Sequence, residues 1–84
     1  LEARLAEHQV ASENLTRARD MRLPRARQRA EAAVASYGAG TSTIAALILV
    51  RGQALEAEMD VLDLEERVAA LGAALTLQYA GATP

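Results

Sequence analysis

Ten residues near the middle of this 84-residue chain, Ala35-Ser36-Tyr37-Gly38-Ala39-Gly40-Thr41-Ser42-Thr43-Ile44, constrain its fold more than any other feature. They separate two long segments that are both patterned as helix. Two glycines within three residues end the first segment. Gly38 or Gly40 can adopt the left-handed conformation that closes a helix and satisfies its last carbonyls. A hydroxyl cluster opens the second segment, where Thr41, Ser42 or Thr43 can accept hydrogen bonds from the free N–H groups of the next helix. A stop signal followed at once by a start signal predicts a reversal of direction. The expected fold is all-α, an antiparallel two-helix coiled-coil hairpin spanning residues 1–84 as one unit. Helix 1 is expected over about residues 1–37, the tip over 38–41 and helix 2 over about 42–80.

The second segment has the cleaner periodicity. Leu47, Val50, Ala54, Ala57, Val61, Leu64, Val68, Leu71 and Leu75 alternate three- and four-residue steps, and all are apolar. That is a coiled-coil seam in heptad register. Leu55, Leu62 and Ala69 make a second apolar line one step round the helix, with Ile48 and Met59 close by. One partner helix covers only the seam, so helix 2 is expected to have neighbours on both sides. Gly52 and Gly72 weaken it by about 1 kcal/mol each relative to alanine, and would permit a close helix approach. Gly81, Thr83 and Pro84 mark its expected end.

The first segment is less regular. Leu1, Leu5, Leu15 and Ala18 form one stripe; Leu23, Ala26, Ala30, Ala33 or Val34, and Tyr37 form another. The break between them falls at Pro24, whose ring clashes with the carbonyl four residues back and whose nitrogen has no proton to donate. A kink is expected at residues 20–24, with helix continuing on both sides because the apolar spacing resumes at once.

Twenty alanines and twelve leucines, with only 2% aromatic residues and neither Phe nor Trp, suit closely spaced helices joined by thin small-residue contacts. A single core of this size supplies no more than about 3–5 kcal/mol. The hairpin is therefore expected to belong to something larger or to self-associate. A start at Leu1, already inside a helical pattern, fits a segment of a longer protein. The absence of cysteine excludes disulfides and thiolate metal sites. The longest strictly apolar run, residues 44–50, is far shorter than the about 20 residues a membrane-spanning helix needs.

The formal charge of −2 is unevenly spread. Residues 17–29 hold six arginines and a single acid, Asp20; residues 56–66 hold Glu56, Glu58, Asp60, Asp63, Glu65 and Glu66 and no base. In a hairpin turning near residue 39, residue 20 lies opposite residue 58, so the basic block faces the acidic block. Pairing of the two blocks across the hairpin explains both. An arginine-rich nucleic-acid surface is disfavoured, because the acids alongside cancel the field and no aromatics interleave to stack on bases.

No catalytic constellation, metal site or cofactor site is read from the sequence. His8, on the apolar side of a helix beside Glu7, fits an interface edge better than a metal ligand, since it has no ligating partner at helical spacing. Glu56, Asp60 and Asp63 share a face, which fits a solvated or arginine-paired surface. Tyr37 is either a contact displayed at an exposed tip or a plug packed against Ile44 or Leu47.

The stretch Ser36-Tyr37-Gly38-Ala39-Gly40-Thr41-Ser42-Thr43-Ile44, followed by Leu47, Gln53, Leu55, Glu56, Ala57 and Glu58, resembles the helical-hairpin repeat of bacterial outer membrane efflux proteins of the TolC and CzcC type. That repeat runs from a Tyr through a Gly to a hydroxyl-containing turn, then into a helix with Leu-x-Ala-Gln and Leu-x-x-Ala-Glu. Gln53, Leu55, Ala57 and Glu58 match, while Gly52 stands where alanine is usual. Leu23-Pro24-Arg25-Ala26 is similar to the Leu-Pro-x-Ala of the metal-efflux branch, and Leu77-Gln78-Tyr79-Ala80-Gly81 to the repeat's closing Leu-x-x-x-Gly. The match covers nearly the whole chain and favours the second, C-terminal hairpin of the two such proteins carry.

The resemblance implies a wall segment of the α-helical barrel in a trimeric outer membrane channel, in its periplasmic portion, serving a tripartite metal or drug export system. It implies no enzyme activity and no cofactor. The tip, Tyr37, Gly38, Gly40, Thr41, Ser42 and Thr43, would dock a periplasmic adaptor and point towards an inner-membrane pump, with no nucleic-acid partner. Leu47, Val50, Val61, Leu64, Val68, Leu71 and Leu75 would hold the arms together. On its own the segment is expected to associate, most simply as a dimer forming a four-helix bundle. Two other readings compete. One is the hairpin of a periplasmic adaptor, whose tip usually carries an Arg-Leu-Ser pattern not found here. The other is a free-standing helical regulator or nucleic-acid binder, which predicts salt-sensitive DNA binding.

Overall fold

The computed structural model describes residues 2–82. Its first arm is α1 (Glu2–Arg17), a π-helical turn (Ala18–Arg22) and α2 (Leu23–Gly38), in unbroken succession. A loop over residues 39–43 reverses the chain, and α3 (Ile44–Ala82) runs back along the arm for its whole length. The fold is the expected all-α antiparallel hairpin. It measures 68 × 14 × 14 Å. Two helices about 8–10 Å apart, each with a Cα radius of about 2.3 Å, already fill a 14 Å width.

The disruption expected at residues 20–24 takes the form of a widened, π-helical turn, with helix continuing on both sides. The N–H of Leu23 donates to the carbonyl of Ala18, five residues back. Pro24 follows as one of the first residues of α2, where a missing N–H costs least. The wide turn also moves the preceding carbonyls away from the ring they would otherwise meet.

All nine seam positions of α3 are buried or half-buried, with Leu47, Val61 and Leu75 the most enclosed. Opposite them the first arm buries Ala11, Leu15, Ala18, Leu23 and Ala26. The core cluster is Leu15, Ala18, Leu23 and Val61, edged by Ala57, Leu64 and Val68. It lies on the π turn. Among the described residues no polar side chain is buried, so the interior of the shared face is apolar.

Two helix boundaries and the role of two glycines differ from expectation. α3 begins at Ile44 rather than residue 42, because Thr43 and not Thr41 caps it. α3 also runs through Gly81 to Ala82, while the stop expected at Thr83 and Pro84 lies outside the described residues. Gly52 and Gly72 do not serve close helix approach. A Cβ on Gly52 would meet nothing within 4 Å, and one on Gly72 would make an ordinary 3.6 Å contact with His8 Nε2.

The charge register also differs from expectation. Glu58 pairs with Arg27 at 3.3 Å and Glu65 with Arg19 at 3.2 Å. The loop is centred on Thr41 instead of Ala39, which moves residue 20 from opposite residue 58 to opposite residue 62. The long arginine side chains then reach further along the hairpin. On the other flank, Arg22, Arg25 and Arg29 share an open groove with Gln53, Glu56 and Asp60. The basic and acidic blocks do face one another, on both edges of the seam.

Candidate functional site: the tip and the outer face of α3

The tip is built from backbone hydrogen bonds. The N–H of Ala39 donates to the Ala35 carbonyl at 3.0 Å, that of Gly40 to Tyr37 at 3.0 Å, and that of Thr41 to Ser36 at 2.9 Å. The last two bonds are the paired closure in which the chain turns through a left-handed residue just past the helix. Gly40 is that residue, with φ +75°, the only positive-φ glycine among the described residues. Gly38 stays helical. The Thr41 hydroxyl adds a second donor to the Ser36 carbonyl at 3.1 Å.

Two residues later the next helix starts. The Ala46 N–H donates to Thr43 Oγ1 at 3.2 Å, and the Leu47 N–H to the Thr43 carbonyl at 3.2 Å. Thr43 is thus the N-cap, satisfying a donor that helix formation leaves free. Of the three hydroxyl residues, Thr41 secures the helix being left and Thr43 the helix being entered. Ser42 is half-buried between them.

This bonding fixes the backbone while leaving the surface free. Tyr37, Gly38, Ala39, Gly40, Thr41 and Thr43 are all exposed, and Ile44 extends the exposed end. Such a tip can present a tyrosine ring, hydroxyls and bare backbone to a partner without first being ordered by it. Less conformational entropy is then lost on docking.

The second surface is the outer face of α3. Ile44, Ile48, Leu55, Met59 and Leu62 form a line and are 51% to 64% exposed. Ala69 continues the line, also exposed. The exposed apolar residues of the first arm, Leu5, Val10, Met21 and Val34, are separated from one another and make no comparable stripe. Two charges interrupt the α3 line, Arg51 and Glu66. Neither forms an ion pair among the described residues. The sequence places Glu66 in the acidic block, and its spacing within the stripe, like that of Arg51, is visible in the pattern. Arg51 has only Leu47, Ile48, Ala54 and Leu55 at helical neighbour spacing, and Glu66 has Leu62, Asp63, Ala69 and Ala70.

His8 is half-buried against Gly72, at the interface edge. Among the described residues no group of three His, Asp or Glu side chains is arranged to hold a metal ion, and no helix is long and apolar enough to cross a membrane. Comparison with protein-family models, with curated proteins and with solved structures finds no match.

Proposed function

We propose that the chain is a wall and tip segment of a trimeric outer membrane efflux channel, docking through its tip to the periplasmic adaptor of a tripartite metal or drug export system. One observation carries the reading. A hairpin 68 Å long ends in a tip that is closed by its own hydrogen bonds yet exposed on its outer surface. Such a tip suits a docking end, because it need not be ordered by its partner. The uncovered apolar stripe on α3 is consistent with a hairpin flanked by further hairpins in a wall. The order of the tip and arm residues resembles the efflux repeat and supports this family reading. In this reading the segment conducts and docks; it carries out no covalent chemistry.

The test is made in the intact protein, in cells whose resistance depends on export. Gly40→Asp places a charged side chain at a left-handed backbone position on the exposed tip. It should lower resistance sharply while trimer abundance in the outer membrane stays near normal. Leu64→Asp buries an unpaired carboxylate in the seam and should lower trimer abundance itself. Full resistance in the Gly40→Asp strain would remove the docking role.

A further inference from the structure

We propose that the outer stripe of α3 is self-complementary and takes a second copy of this chain, antiparallel, about a two-fold axis passing between residues 58 and 59. Along one face the stripe runs Ile48, Arg51, Leu55, Met59, Leu62, Glu66, Ala69. Reversed about that axis it matches itself. Ile48 falls opposite Ala69 of the second copy and Leu55 opposite Leu62; Met59 falls opposite Glu58 of the second copy, so the two Met59 side chains flank the axis. Arg51 falls opposite Glu66 of the second copy, and Glu66 opposite Arg51. An interface of this kind uses the same patch on both subunits, so each contact occurs twice.

Charge decides the direction. Arg51 and Glu66 are exposed and lack an ion-pair partner among the described residues; Arg51 lies among apolar neighbours and Glu66 between Leu62 and Ala69, beside Asp63. Antiparallel pairing gives each of them an opposite charge. Parallel in-register pairing would set Arg51 beside Arg51 and Glu66 beside Glu66, which opposes association. Glu58, next to the axis, keeps Arg27 as its partner, so the centre carries neutralised pairs.

The area is sufficient. Ile44, Ile48, Leu55, Met59 and Leu62 are each at least half exposed. At roughly 100 Å² each, two copies would remove about 1,000 Å² between them, the threshold of a specific interface before the alanines and side-chain stems are added. The product is a four-helix bundle with both α3 helices inside. This inference does not rest on the channel reading. In a channel wall the same stripe would be covered by a neighbouring hairpin, and the antiparallel pair is what the chain forms alone.

The full 84-residue chain, followed by sedimentation and circular dichroism, tests this. A helical dimer at micromolar concentration is expected. Arg51→Glu and Glu66→Arg should each weaken dimerisation about tenfold, because each sets two like-charge pairs in the interface. The double variant should regain the wild-type association. Since the chain has no cysteine, direction can be read by oxidation. Chains carrying Ile48→Cys should cross-link to chains carrying Ala69→Cys and not to themselves. A monomer at every concentration, folded or unfolded, overturns the proposal. So does self-cross-linking of Ile48→Cys chains, or a double variant as weak as the singles.

Discussion

The N–H of Leu23 donates to the carbonyl of Ala18, and this single five-residue step keeps the first arm in phase with α3. Upstream, the inward positions His8, Ala11, Leu15 and Ala18 follow three- and four-residue steps; downstream, Leu23, Ala26, Ala30 and Ala33 do the same. Only the step from Ala18 to Leu23 is longer. An α-helix would rotate everything beyond it by about 100° and turn one half of the arm away from its partner. The π turn absorbs the extra residue at the point where Pro24 already weakens the α-helical ladder.

Removing one residue from that turn should therefore be tolerated if the proline goes too. Deletion of Met21, which is exposed, converts the five-residue step to four and leaves a continuous heptad. With Pro24 retained, the ring now faces an ordinary α turn, and the deletion should cost about 3 kcal/mol. Adding Pro24→Ala should recover most of that loss. Deleting the exposed Gln28 instead has no such remedy, because it rotates half of α2 off the seam. Thermal unfolding of the three variants, followed by circular dichroism, separates these outcomes.

The two tip glycines should respond in opposite senses. Gly40 has φ +75°, so Gly40→Ala should destabilise by about 1 kcal/mol although no atom lies within 4 Å of the new Cβ. Gly38 is helical and equally open, so Gly38→Ala should stabilise by up to about 1 kcal/mol. Thr43→Ala removes the cap on Ala46 and should cost about 1 kcal/mol. Chemical denaturation of the three variants gives the signs.

Much of this was legible beforehand, and the rest was hidden for identifiable reasons. The seam of α3 was readable from Leu47 to Leu75 because nine successive apolar positions admit a single helical face. The tip was readable as a reversal, but Gly38 and Gly40 are equally able to take a positive φ. Only the hydrogen bond from Thr41 to Ser36 selects Gly40. Likewise Thr41, Ser42 and Thr43 can each cap a helix, and the choice of Thr43 follows from how many residues the closure at Gly40 uses. That choice moved the centre of the turn and with it the ion-pair register. The phase change at Pro24 was visible as two stripes. Its resolution as a π turn was not, since proline alone more often signals a kink.

The ion pairs should contribute little to stability. Arg19, Glu65, Arg27 and Glu58 are all about half exposed, and such pairs are worth between about 0 and 1 kcal/mol. Replacing both arginines with alanine should lower stability by less than about 2 kcal/mol in total. Leu15→Ala, in the core cluster, should cost about 2–4 kcal/mol by itself. Denaturation at low and high salt checks the comparison, since only the ion-pair term should fall with salt.

Gly72 is a site where the fold can be improved. It is helical, and a Cβ there meets His8 at ordinary contact distance. Gly72→Ala should raise the midpoint of thermal unfolding, corresponding to about 1 kcal/mol. A fall would mean that His8 packs closer to α3 than the hairpin places it.

The proposed function depends on the tip being a docking end, and cross-linking in cells measures this most directly. A photoreactive phenylalanine analogue replaces Tyr37 in the intact protein, and a second strain carries it in place of Leu75, deep in the seam. Illumination at position 37 should yield a covalent product containing the periplasmic adaptor. Illumination at position 75 should not. If position 37 captures no adaptor in cells where export is active, the tip is not the docking end and the proposed function is contradicted.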